Sequence, residues 1–256
     1  MNDRPSVEAN RVLAVNGITS WPAEYLQNIA SAERIKVLFR PIDDEPDFGG
    51  QLVYKGKKTG ILVNTCIPSN GKHNFTFAHE LGHYFLHHPP AYTMDGQSGF
   101  RCTATDMDTS RNPQETEANR FAVELLMPKD MFRPLMAGAP LDYTLINSLA
   151  RQFRVSKHAC CNRLLEFTKE PYIVVWSQGY TITEIRTSPS ARLKIALLKN
   201  IPKETTAYDA ITLKKNQNGF AACDPTKWLV RSNFNRLYEC TRGNWKNDVA
   251  MTILQL

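Results

Sequence analysis

His79-Glu80-Leu81-Gly82-His83 sets two imidazoles and a carboxylate at H-E-x-x-H spacing. At this chain's own composition about 0.007 chance matches are expected, so the pattern calls for a chemical explanation. Four residues advance an α-helix by about 400°, so His79 and His83 project from one face, about one turn apart. Both can then reach a single ion at about 2.0–2.1 Å. Glu80 lies about 100° round the helix, outside the ligand set but near a water at the ion, where a general base is useful. From Asn74 to Leu86 the segment is helical in length and apolar on nearly every side, which is the pattern of a buried helix. A buried carboxylate and two buried imidazoles each need a partner, and a divalent ion would satisfy all three. The alternative is a pair of core histidines bonded to the backbone.

Two histidines are too few for a catalytic zinc site, which takes three protein ligands and keeps a position open. On the helix predicted from Pro113, the residues Asn119, Ala122 and Leu126 fall within about 40° of Glu115, while Glu117, Arg120 and Glu124 form the opposite, charged face. Glu115 is the expected third ligand, and Asn119, one turn later, is the expected partner of a ligating imidazole. Two alternatives stay open: Glu115 closing a capping box begun by Asn112, or Glu117 as the ligand. His87 and His88 read as cations near the last carbonyls of the helix, with ligation a lesser alternative. Tyr84 and Tyr92 are the candidates for a donor to a developing oxyanion. A His₂Glu set suits zinc, with manganese as a second choice.

The elements that must hold these groups are short. Residues 5–33 predict two helices, the second capped by Ser20 with Pro22 in its first turn and an apolar stripe of Leu26, Ile29 and Ala30. Ile35 to Arg40, Gly50 to Tyr54 and Gly60 to Asn64 read as strands, the last two joined as a hairpin. A long loop is expected from about His88 to Asn112, either mobile or forming the rim of a site. After the helix from Pro113, which stops near Pro128, come a short helix at 129–136 and a helix pair at about 142–153 and 156–167. Beyond Glu170-Pro171, strands at 172–176 and 180–185 precede a helical stretch around Ser190 to Leu198. The expected class is α+β: a small antiparallel or mixed sheet packed with the H-E-x-x-H helix and further helices, then a helix-turn-helix-like segment and a small α+β domain. The expected boundaries are 1–138, 139–170 and 171–256.

Composition bounds the rest. With 256 residues, 42% hydrophobic, disorder and a miniature disulfide scaffold are excluded, and two domains are expected. No stretch approaches the roughly 18 apolar residues of a membrane span, and Met1 to Pro5 lacks the pattern of an export signal, so a soluble, cytoplasmic protein is expected. The six cysteines include no C-x-x-C pair and read as free thiols. Residues 171–256 hold 12 Lys+Arg against 6 Asp+Glu, which accounts for the whole net charge of +6. Such a segment can attract nucleic acid or an acidic partner, but scattered lysines are more often a solvated surface.

Asn74-Phe-Thr-Phe-Ala-His-Glu-Leu-Gly-His83, followed by Glu115-Thr-Glu-Ala-Asn-Arg-Phe-Ala-Val-Glu-Leu-Leu-Met-Pro128, resembles the paired signature of the ImmA/IrrE metallopeptidases. The resemblance covers about residues 5–168. It implies His79, His83 and Glu115 as zinc ligands and Glu80 as catalytic acid/base, similar to thermolysin-like enzymes in which a Glu-x-x-x-Asp element supplies the third ligand. Asn119 stands where that Asp would be. The resemblance further implies an endopeptidase acting on a protein substrate, typically a helix-turn-helix transcriptional repressor, in a stress or mobile-element response. The last 86 residues match no such pattern. Leu149 to Ser156 resembles the turn of a helix-turn-helix, with Ser156 capping the second helix and Lys157, His158, Asn162 and Arg163 placed to face a groove. The turn lacks the common Gly, and a packing role is preferred to nucleic-acid reading. The rival readings are a DNA-binding regulator and a protein-interaction module, each with structural or sensory zinc; Glu80 argues against both, because structural zinc needs no base beside it. The oligomeric state is left open.

Overall fold

The computed structural model describes residues 3–45, 47–66, 69–94, 96–103, 112–191, 198–229 and 234–256. The chain divides into two compact units, Met1–Cys160 and Cys161–Leu256. Each combines helices with a five-stranded sheet, which is the expected α+β class. No helix among the described residues is long and apolar enough to cross a membrane.

In the first unit, α1 (Arg4–Val15) starts with Pro5 in its first turn and buries Ala9, Val12 and Leu13, spaced to share one face. A 3₁₀ turn (Pro22–Glu24) and α2 (Leu26–Ala32) follow, with Leu26, Ile29 and Ala30 buried as expected. Ser20 does not cap this region: Trp21, in left-handed backbone at φ 44°, leads into the 3₁₀ turn without a side-chain cap. The sheet order is β1-β3-β2-β5-β4. Strand β1 (Ile35–Arg40) lies parallel to β3 (Lys58–Asn64), and β2 (Phe48–Lys55) forms the expected antiparallel hairpin with β3. Gly56 supplies the positive φ of its turn.

The expected long loop contains two strands. Strands β4 (Tyr92–Met94) and β5 (Gln97–Thr103) form a hairpin, and β5 pairs with β2. Residues 95 and 104–111 of that loop lie outside the described residues. Phe100 and Cys102 point into the core while Arg101 between them is exposed, the alternation of a half-buried strand. At Gly99 an added Cβ would sit 1.9 Å from the Leu52 carbonyl oxygen, so β5 approaches β2 closely only because that residue has no side chain.

Helix α3 (Asn70–Phe85) is capped by Ser69 and packs on α4 (Pro113–Leu126), β2 and β3, while α1 packs on α4. Short α5 (Lys129–Phe132) with its 3₁₀ extension and α6 (Tyr143–Gln152) complete the unit, and α7 (Lys157–Phe167) spans the division at residue 160. Ser156 accepts the Ala159 N–H at the start of α7, as expected. Arg163, expected to face a groove, is instead buried, with its guanidinium 4.3 Å from the Phe167 ring centre and 2.7 Å from Glu166. Arg154 takes the left-handed position in the turn that glycine usually fills.

The second unit has the sheet order β7-β6-β10-β9-β8, formed by β6 (Tyr172–Gln178), β7 (Thr181–Thr187), β8 (Ala221–Cys223), β9 (Leu237–Asn244) and β10 (Val249–Gln255). Helix α8 (Thr206–Thr212) and the short α9 (Pro225–Trp228) pack over a core including Ile173, Val175, Ile211, Trp228 and Leu254. Of the helical stretch expected at 190–198, a 3₁₀ turn at Pro189–Ala191 is seen and 192–197 lie outside the described residues.

Candidate metal centre

The two helices carrying the candidate ligands meet at small residues. An added Cβ on Gly82 would stand 3.1 Å from the Cα and carbonyl oxygen of Ala118 and 3.1 Å from the Phe121 ring, so the glycine inside the motif sets how near α4 can come. That approach delivers Glu115 to the histidines. The Nε2 atoms of His79 and His83 are 3.0 Å apart. Glu115 places Oε2 3.0 Å from His79 Nε2 and Oε1 3.4 Å from His83 Nε2. Donors about 2.0–2.1 Å from a tetrahedral ion stand about 3.3 Å from one another, so these distances fit one small cation. Asn112 caps α4 by accepting the Gln114 N–H, and the Glu115 carboxylate turns to the imidazoles.

Each imidazole is oriented from behind. The Nδ1 of His79 lies 2.9 Å from Asn119 Oδ1; an amide oxygen only accepts, so Nδ1 carries a proton and Nε2 is the atom turned to Glu115. The His83 ring stacks on Phe100, with ring centres 4.0 Å apart. His88, expected as a cation near the last carbonyls of the helix, is buried, with Nδ1 3.0 Å from His83 Nδ1 and Nε2 3.0 Å from Glu117 Oε2. The reason is local. His87 takes left-handed backbone, and its N–H and that of His88 bond back to the Tyr84 and His83 carbonyls, a Schellman ending that folds the chain under the helix. Glu124 also departs from expectation: it is buried and bound to Arg120 at 2.8 Å.

His79, Glu80 and His83 have no exposed surface, and Glu115 is 8% exposed. Burial pushes the Glu80 acid up from its ordinary 4.5 to about 7, against the pull of His79. Its oxygens face β2, where a Cβ on Gly50 would come within 3.6 Å of Oε1. The Cys102 thiol and the Leu52 backbone lie nearest, yet neither carboxylate oxygen has a hydrogen bond of normal geometry among the described residues. Burial also lowers His83 to about 4, which keeps its ring neutral. For Glu115 burial favours the neutral acid, but the imidazoles of His79 and His83 outweigh it and hold the carboxyl well below its usual range. Burial disfavours the charged ring of His79 as well, but Glu115 and Glu80 outweigh it and raise that imidazole. Two imidazoles aimed at one point, an ionised carboxylate and a buried acid beside them are what a divalent cation would find useful here, binding with release of any proton on His79 Nε2. Tyr84 and Tyr92 are engaged elsewhere: the Tyr84 hydroxyl donates to Glu33 at 3.0 Å, and the Tyr92 hydroxyl accepts from Gln51 at 2.5 Å. Cys102 was not foreseen, because it falls in the stretch expected as loop; the alternation of Phe100 and Cys102 around Arg101 was its signal.

Residues 30–165, just over half of the chain, match the family model described as the IrrE N-terminal-like domain of the M78 peptidases. The chain belongs to this family. Its members are metal-dependent, in keeping with the His79, His83 and Glu115 cluster. Among solved structures, a Mycobacterium tuberculosis transcriptional regulator is similar at a TM-score of 0.59 and 16% identity, over 100% of this chain and 77% of that one. At that identity the likeness is one of fold. No curated protein matches the chain significantly.

Proposed function

We propose that this M78-family chain is a zinc-dependent endopeptidase that cuts a regulatory protein, such as a helix-turn-helix transcriptional repressor. The observation that carries the reading is the convergence of His79, His83 and Glu115 beside Glu80, a buried acid without a hydrogen bond of normal geometry among the described residues. A purely structural ion has no use for such an acid. His79, His83 and Glu115 would hold zinc, or manganese, and Asn119 would fix the tautomer of His79. The cation, when bound, supplies Lewis-acid activation of water and of the scissile carbonyl. Glu80 takes the proton from the attacking water and passes it to the leaving amine, and burial keeps its proton affinity near the working pH of such a base. Catalysis is assigned to residues 1–138, with 139–170 as a packing or docking segment and 171–256 as a separate accessory domain.

A regulatory setting is supported by the fold likeness to a transcriptional regulator. A second reading, a regulator with a sensory metal, is favoured by the complete burial of His79, Glu80 and His83. Incubating the purified protein with a repressor encoded beside it, with and without chelator, separates the two. The peptidase reading expects a chelator-sensitive cut that Glu80→Gln abolishes while retaining its metal. A stable, uncut complex with the metal-loaded protein would favour the sensor.

A further inference from the structure

His88 and Glu117 lie behind His83, and their hydrogen bonds fix which atom of His83 is free. A carboxylate only accepts, so His88 Nε2–H donates to Glu117 Oε2 at 3.0 Å. A neutral His88 then offers its Nδ1 as an acceptor, and the neighbour at 3.0 Å is His83 Nδ1. That bond needs the proton on His83 Nδ1 and leaves the lone pair on Nε2, the atom facing His79 and Glu115. With neutral rings, no other proton arrangement satisfies both bonds. The opposite assignment, with Nε2 of His83 protonated, would leave two Nδ1 lone pairs facing each other. His88 is held there by backbone, through the left-handed turn at His87, and Glu117 is held from outside by Arg4 at 3.6 Å.

We infer that His88 and Glu117 are positioning residues, a carboxylate–imidazole relay that sets the tautomer and ring orientation of His83 for metal binding. This rests on the metal-centre reading above. The two histidines of the motif are thereby oriented by different devices: an amide from α4 one turn after Glu115 serves His79, and a second imidazole from the end of α3 serves His83. The two devices differ in origin. One comes wholly from across the helix interface, and the other begins in how α3 ends and is completed by Glu117 of α4.

The test measures zinc affinity by competition with a chromophoric chelator, together with the visible absorption of the cobalt-substituted protein, for His88→Phe, Glu117→Ala, Glu117→Gln and the double variant. His88→Phe keeps an aromatic ring in the pocket but removes both nitrogens; it is expected to weaken zinc binding about 10–100-fold and to alter the cobalt spectrum. Glu117 is 38% exposed, so its loss leaves folding intact, as far-UV circular dichroism will verify. Glu117→Ala is expected to weaken binding less than His88→Phe, and Glu117→Gln, which still offers an accepting oxygen, to recover part of that loss. In a chain, Glu117 acts only through His88, so the double variant should bind no worse than His88→Phe alone. His79→Ala is the control for the site itself. If His79→Ala loses zinc while His88→Phe binds within twofold of the parent with an unchanged cobalt spectrum, the relay is wrong and the site stands. Additive losses in the double variant would equally overturn it. If His79→Ala retains zinc, the site reading fails and the relay with it.

Discussion

Glu80→Gln should make a protein that is inactive yet gains stability, relative to the parent, as the pH rises. In the metal-free fold, burial raises the Glu80 acid from 4.5 to about 7. The folded state therefore holds this proton more tightly than the unfolded chain. The resulting stability is fully present below about pH 4.5 and is lost as pH rises through about 7. A change of that size corresponds to about 3 kcal/mol, and because the group has no exposed surface little of it is screened. Glutamine keeps the shape and two polar atoms, so any cost of burying polarity falls equally at every pH and only the titration disappears. Urea unfolding of metal-free parent and Glu80→Gln proteins, followed from pH 5 to pH 8, reads the difference directly. The variant should gain most of the ~3 kcal/mol over that interval, and zinc should reduce the gap by stabilising the Glu80 carboxylate of the parent. A stability difference that stays flat with pH would falsify the claim that Glu80 is a desolvated acid, and with it the argument that burial tunes it as a base.

Glu115→Gln should weaken zinc binding by more than the roughly 10–100-fold expected for loss of an outer partner, and equal zinc content in equilibrium dialysis would return the ligand assignment to Glu117. Gly82→Ala places a methyl 3.1 Å from Ala118 and Phe121; zinc affinity should fall as α3 and α4 move apart, even though alanine favours the helix by about 1 kcal/mol, and calorimetric titration will show it. In the second unit, the buried Glu239 accepts from the Thr206 backbone and hydroxyl and from Trp228 Nε1. Glu239→Ala strands those donors and should cost about 3 kcal/mol or more in urea unfolding. With iodoacetamide, exposed Cys66 should be alkylated in the native protein, whereas Cys102, whose thiol burial raises well above its ordinary range, should react only on unfolding.

The sequence by itself determined the chemistry carried on one helix. Spacing alone puts His79 and His83 on a common face with Glu80 beside them, because an α-helix repeats every 3.6 residues whatever surrounds it. The same periodicity singled out Glu115 and Asn119 on α4, and alternation gave the β2–β3 hairpin. What packs across elements was harder to read. Glu124 belonged by periodicity to a charged face but is buried, because α1 covers that side of α4. The hairpin of β4 and β5 is stabilised by pairing with β2 rather than by its own pattern, so a stretch rich in Gly, Ser and Asp read as loop. His88 looked like a cation at a helix end; only the reversal at His87, with Glu117 arriving from another helix, buries it against His83. Local periodicity fixes which groups share a face. Which face is covered, and by what, depends on contacts between segments far apart in the chain, and the tertiary structure alone decides those.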